Sequence, residues 1–388
     1  MVKMSRRDKS QESKRLLRKR LSVAIVCALA VFISISCGFI VYHYNDIKYW
    51  DNLIYPKVSI NNIDLSGKTK TEAESMVKAA YSDEIKNKKI IVTAGDKEYE
   101  LSYSNLSPKY NVSEVVNQAY SYGKDSNIFK KYKILNSPKA VNYTLKFTYD
   151  EKTVETFIDD IEKQVNLDPI NASLKMEGLG FTVISEQSGV KLNKNALKKE
   201  LASKIDGSVG KDLSIKAELQ SVEAAIKAEE LKVVDTLISS FSTNYGSISS
   251  SQRANNIKLA TGSINGYIVM PGDTFSFNGV VGERTAAKGY QAAPVIIGDK
   301  LEDGLGGGIC QVSTTLYNAV NKAGLPSVER SHHTLPVHYV QEGMDATVDY
   351  GNIDYKFRND FKYPIYIEGY TSGGSVVFNL YSNSAVVN

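Results

Sequence analysis

The sequence predicts an α+β protein: an N-terminal transmembrane helix, two tandem small α+β modules, and a C-terminal β-rich α+β domain with a cysteine at a helix N-terminus. Three observations predict it. Leu21 to Tyr42 runs without a charged residue. Two later segments repeat the order helix, hairpin, helix at a spacing of about 80 residues, too long for a solenoid. The last part of the chain consists of short β-type runs around one glycine-led helical stripe that opens at Gly306.

A length of 388 residues allows two or three domains. Residues 1–20 form a basic tail, from Lys3, Arg6 and Arg7 to Arg18-Lys19-Arg20. Residues 21–42 span roughly 33 Å as a helix, enough for a hydrocarbon core of about 30 Å. The basic flank precedes the span, so the positive-inside rule predicts a cytoplasmic N-terminus and extracellular domains after Tyr42. Tyr42, Tyr44, Tyr49 and Trp50 read as an interfacial belt, and residues 43–55 as a stalk. A cleaved signal peptide is the competing reading, but the apolar run is long and lacks an Ala-x-Ala exit. A lipoprotein signal at Cys37 is disfavoured by Ser34. The net charge of +4 comes from the tail, and the remainder shows no nucleic-acid footprint.

The first module, 56–140, opens its helix at Thr71–Val77, places strands at Lys89–Val92 and Tyr99–Ser102 around Gly95-Asp96, and begins a second helix near Asn111. The second, 141–222, has its helix at Thr153–Ile158, strands at Ser173–Met176 and Phe181–Ile184, a closing helix from Asn193, and a strand from Leu213 to Leu219. Neither clusters catalytic residue types. A charged connector, 223–232, precedes the last domain, 233–388. There Thr236–Tyr245 reads as a strand, and Ile257, Ala260 and Ile264 as the buried face of a helix. Gly266–Phe277 reads as strand, turn, strand. Ala346–Tyr350, Lys356–Arg358 and a hairpin across Ser372-Gly373-Gly374 make a β-rich end.

Cysteine use narrows the chemistry. Cys27 and Cys37 fall inside the apolar span, which leaves Cys310 alone outside with no disulfide partner. It follows Gly306-Gly307-Gly308 and precedes the stripe Val312, Leu316, Val320 and Ala323, which Gly324 and Pro326 stop. A thiol at a helix N-terminus has a depressed pKa and reacts as the thiolate. Ser331–His338 holds three of the four histidines. A cysteine nucleophile needs a base and a group to orient it. Cys310, then His332 or His333, then Asp345 supply these in order. In an extended segment the two histidines face opposite ways, so only one meets the sulfur. The Cys310 N–H and the Gln311 side chain are candidates for an oxyanion hole, and Gly308 lets a substrate backbone approach. Three rivals remain open on residue types alone: an inert buried thiol, a zinc site of Cys310, His333, His338 and a carboxylate, and histidines that merely cap a turn.

Several motifs then point one way: Pro271–Asn278, Gly282-Glu283-Arg284-Thr285, Gly306–Tyr317, Glu329-Arg330, His333-Thr334-Leu335-Pro336-Val337 and Asp345-Ala346-Thr347-Val348. From about Phe241 onward the chain resembles the VanW family, and the preceding modules resemble, by layout, the peptidoglycan-binding domain that accompanies it. The resemblance implies a membrane-anchored L,D-transpeptidase that forms 3–3 cross-links between peptidoglycan stem peptides through a Cys310 thioester. It implies His333 rather than His332 as base, Asp345 as its orienter, and Arg284 and Arg330 on the substrate side, where the residues themselves also put Gly308, Gln311 and His332. It calls for no cofactor, metal or nucleic-acid partner, and leaves the oligomeric state open. A wall-binding accessory role and a cysteine endopeptidase or carboxypeptidase are the alternatives.

Overall fold

The computed structural model describes residues 6–387 except 179, 248, 298 and 299. The start of the basic tail, with Lys3, lies outside the described residues. The protein is of mixed α+β class. Helix α1 runs unbroken from Arg6 to Tyr49 and is long and apolar enough to cross a membrane, by length and composition. The segment 43–55, expected as a stalk, is ordered in its own way. Its first residues continue α1, a 3₁₀ turn covers Trp50–Asn52, and Ile54 and Tyr55 are buried core.

Two compact units follow from the packing: residues 1–166 with 192–220, and residues 167–191 with 221–388. In the first, helix Lys70–Val77 begins with a capping box in which Thr69 and Glu72 bond reciprocally. Strands Lys89–Ala94 and Lys97–Ser102 pair across the expected turn. Strand Leu213–Lys216 joins them in parallel, Leu213 opposite Ile90. Helix Glu151–Val165 puts Val154, Ile158 and Ile161 into the same core as Ile90, Val92, Leu101 and Tyr103. Elements read as belonging to successive modules thus share one core. Helix α2, Ile128–Asn136, was not foreseen and begins at Asn127, whose side chain accepts the Lys130 N–H.

In the second unit, hairpin Ser173–Glu177 and Gly180–Ile184 buries Leu174 with Leu231, Val234 and Tyr366, and the Phe181 ring meets Tyr366 and Tyr381 at 4.9 and 5.2 Å. The main sheet is antiparallel, built from β1 (Thr236–Asn244), β2 (Tyr267–Val269), β3 (Ile365–Ser372) and β4 (Ser375–Ser382) in the order β1-β4-β3-β2. Along β4, Val376, Phe378 and Leu380 are fully buried at a period of two, the signature of a half-buried strand. Helices α3 (Ser251–Ile264) and α4 (Ile309–Lys322) pack on this sheet. Ile257, Ala260 and Ile264 are fully buried as expected. The segment Ala346–Tyr350, expected as a strand, holds only isolated bridges, Thr347 to Ser331 and Asp349 to Ile353. Its backbone is tied instead to side chains of α4.

Candidate active site

Helix α4 positions the site. Every residue from Gln311 to Val320 is buried, not only the apolar stripe. Its apolar face meets the sheet core, and its polar residues grip the chain that covers it. Ser313 Oγ donates to the Ala346 carbonyl at 2.6 Å, Thr314 Oγ1 accepts the Ala346 N–H at 3.0 Å, and Asn318 Nδ2 donates to the Met344 carbonyl at 2.8 Å. Buried hydroxyls and amides need such partners. Asp345 lies in the middle of the segment they hold.

The three glycines let α4 start where it does. Gly308 is the N-cap residue with φ of 102°, in the left-handed region, and a Cβ there would lie 2.9 Å from Arg253 Cγ and Ile257 Cγ1. At Gly307 a Cβ would lie 2.6 Å from the Ala293 carbonyl oxygen. Asn256, fully buried on α3, donates to the Gly307 carbonyl at 3.1 Å.

Cys310 is the second residue of α4 and half-buried, with Sγ 3.5 Å from both Thr347 Oγ1 and the Val348 carbonyl oxygen. Burial pushes its thiol pKa up, but hydrogen bonding to His333 and the charge of that ring pull it down further, and the net shift is downward. His333 shifts the opposite way: desolvation lowers it, and Cys310 and Asp345 together raise it above the ordinary imidazole value. These directions favour a thiolate–imidazolium pair. His333 Nδ1 lies 2.6 Å from Asp345 Oδ2, which leaves Nε2 for the sulfur. The Asp345 carboxylate is buried and held down to about 2: burial raises it, and the bonds from His332 and His333 outweigh that.

The segment carrying the histidines is not a strand, and it turns both rings to one carboxylate. His332 Nδ1 reaches Asp345 Oδ1 at 2.8 Å while its side chain stays 54% exposed. Asp345 accepts from both rings, and it is His333 that also meets Cys310. His338 is exposed, and among the described residues no group of three or more His, Cys, Asp or Glu is placed to hold a metal.

The remaining expected residues divide into two kinds. Among the described residues, the terminal nitrogens of Arg284 are buried and have no hydrogen-bond partner. Its guanidinium lies 5.6 Å from the Phe277 ring and 5.8 Å from the Tyr350 ring, with its stem against Gly306. Burial lowers its pKa, and its interactions with Tyr290 and Cys310 oppose that shift. Arg330 and Gln311, by contrast, are engaged in framework bonds. Arg330 Nε donates to the Asp345 carbonyl at 2.9 Å, Nη2 donates to the Gly343 carbonyl, and the guanidinium stacks 3.8 Å from the Tyr317 ring centroid. Gln311 is fully buried: Nε2 donates to Thr243 Oγ1 and the Asn244 carbonyl, and Oε1 accepts from Arg253 at 2.9 Å.

Sequence reasoning missed Arg253, Tyr339 and Thr347. Burial lowers the Arg253 pKa against the influence of Tyr339 and Cys310, and burial followed by the Cys310 charge raises that of Tyr339. Arg253 lies one turn before Ile257 on the buried face of α3, a signal that could have found it.

Residues 252–381 match the family model described as "VanW like protein", and residues 99–214 the one described as "Putative peptidoglycan binding domain". The chain is 36% identical over 237 residues to the Uncharacterized protein YoaR of Bacillus subtilis (strain 168), covering 61% of this chain and 77% of that protein. It is 32% identical over 131 residues to the Vancomycin B-type resistance protein VanW of Enterococcus faecalis (strain ATCC 700802 / V583), covering 32% of this chain and 48% of that one. No solved structure matches the chain significantly. With a VanW model on the domain that contains Cys310 and a relative matched over most of its length, this chain is a member of the VanW family.

Proposed function

We propose that this cell-wall-related protein is an extracytoplasmic L,D-transpeptidase, anchored by α1 with its N-terminus inside. The observation that carries the reading is the Cys310–His333–Asp345 array, with the carboxylate on Nδ1 of the ring and the ring hydrogen-bonded to the thiol. The Cys310 thiolate attacks the carbonyl carbon of the third residue of a tetrapeptide stem. The bond to the terminal D-alanine breaks, and its amine leaves with the proton from His333. An amine of a neighbouring stem then attacks the thioester, gives its proton to His333 and frees the thiolate, closing a 3–3 cross-link. The Cys310 N–H, in the first turn of α4, is the oxyanion donor in this scheme. Arg284 takes a carboxylate of the stem, whose two oxygens satisfy both buried nitrogens at once. Arg330, Gln311, Gly308 and His332 serve by holding the frame. The match of residues 99–214 to a peptidoglycan-binding model supports wall contact upstream.

The test is incubation of the purified chain with tetrapeptide muropeptides. Cross-linked dimers, together with a thioester mass on the peptide containing Cys310, are expected. Shortened stems in place of dimers would make the protein a hydrolase. Dimers formed by Cys310→Ala would overturn the mechanism.

A further inference from the structure

An aromatic seam joins α1 to α2 in the N-terminal unit, far in sequence from the cysteine chemistry. The Phe129 ring stacks on Phe39 with centroids 5.3 Å apart, and the Tyr132 ring meets Phe39 edge-on at 4.7 Å and His43 at 4.2 Å. On the other side of α2, Ile134 and Leu135 pack against the core that contains Ile54, Tyr55 and Val58. Helix α2 is thus fixed between that core and the end of the apolar run.

Its depth follows from Phe39. That residue stands three positions before Tyr42, where the uncharged run ends, and so roughly 4.5 Å inside the boundary along the helix. A ring stacked on Phe39 sits at the same level, where acyl chains meet headgroups. Phe129 is still 49% exposed there, an apolar ring facing outward. Lys130 and Lys133 on the same helix are exposed, whereas Lys131 pairs with Asp51 at 3.5 Å. Aromatic and aliphatic residues interleaved with lysines make an interfacial helix, with the lysine stems carrying their charges toward headgroups.

We propose that α2 is a membrane-interfacial helix: Phe129 enters the outer-leaflet boundary beside Phe39, and Lys130 and Lys133 lie on anionic headgroups. The N-terminal unit is thereby held against the bilayer instead of hanging from a free stalk. This rests on α1 being an uncleaved anchor.

The test uses the full chain in vesicles of phosphatidylcholine and phosphatidylglycerol, with Phe129→Trp read against the wild type, whose single tryptophan is Trp50. Phe32→Trp, in the middle of the apolar run, reports on the anchor. The fluorescence that Phe129→Trp adds is expected to be quenched severalfold more by lipids brominated near the headgroup end of the acyl chain than by aqueous iodide. Lys130→Glu with Lys133→Glu is expected to abolish the difference between anionic and neutral vesicles. Quenching by iodide instead would mean a free helix, and shielding from both quenchers a protein partner such as a second copy; either overturns the proposal. A Phe32→Trp signal blind to brominated lipid would instead remove the anchor, and this inference with it.

Discussion

His333 Nδ1 and the His333 backbone N–H both meet Asp345 Oδ2, at 2.6 and 2.7 Å. One carboxylate oxygen therefore fixes both the ring and its backbone, and Nδ1 carries its proton toward Asp345.

Replacing Asp345 by Asn should weaken the ion pair. The raised His333 pKa depends partly on Asp345, and the lowered Cys310 pKa depends on His333. Without the carboxylate the imidazolium is less stable, so less thiolate exists at neutral pH. Alkylation of Cys310 by iodoacetamide, followed against pH, should show its midpoint moved upward in Asp345→Asn. An unmoved midpoint would mean that Asp345 only shapes the loop.

Asp345 also couples stability to acid. Its folded-state pKa is depressed to about 2, so its contribution is present above the ordinary carboxylate value near 3.9 and is lost as pH falls through about 2. For a buried group this shift is worth on the order of 2 kcal/mol. The thermal midpoint of the detergent-solubilised wild type should fall more steeply below pH 4 than that of Asp345→Asn.

The two histidines should separate cleanly. His333 has a side chain only 5% exposed and meets both Cys310 and Asp345, whereas the His332 side chain is 54% exposed and pairs with Asp345. His333→Ala should lower turnover by roughly 10²–10⁴-fold, the usual worth of a positioned base. His332→Ala should cost less than about tenfold, through a looser Asp345. Equal losses would show that the histidines act as a pair.

How far the sequence could be read depends on what set each feature. The α3 face of Ile257, Ala260 and Ile264 and the final hairpin obey local periodicity, and they stand where that periodicity put them. The route of 344–348 does not: it is set by Ser313, Thr314 and Asn318 of α4, contacts no local pattern encodes. The engagement of Gln311 and Arg330 was hidden for a similar reason. Their residue types suit a ligand, but long-range partners had already engaged them. The sharing of one core by Ile90 and Ile158 likewise depends on the parallel strand from Leu213, more than 100 residues downstream of Ile90.

Two glycines of this domain predict opposite effects, one in the run before α4 and one inside α3. Gly307→Ala would press a Cβ to 2.6 Å from a backbone carbonyl oxygen, which cannot yield as a side-chain end would. A cost of about 1–3 kcal/mol is expected, with slower alkylation of Cys310 as the start of α4 shifts. Gly262, inside α3, has nothing within 4 Å of an added Cβ, and Gly262→Ala should stabilise the chain by about 1 kcal/mol through helix propensity. Melting both variants beside the wild type checks the pair.

Arg284 should show stability and function pulling apart. Its two terminal nitrogens are buried without a hydrogen-bond partner among the described residues, with the Phe277 and Tyr350 rings beside the guanidinium. An unsatisfied buried polar group costs about 1–3 kcal/mol, and more when charged. Arg284→Met keeps the long stem against Gly306 and removes the charge, so its melting temperature should rise above that of the wild type. Its turnover of tetrapeptide stems should fall by more than about tenfold, because a carboxylate–guanidinium contact is lost. The same stems with amidated carboxyl groups should be poor substrates for the wild type and little worse for Arg284→Met. A variant that melts lower and turns over both stems equally poorly would mark Arg284 as a packing residue instead, its charge serving the fold and not the substrate.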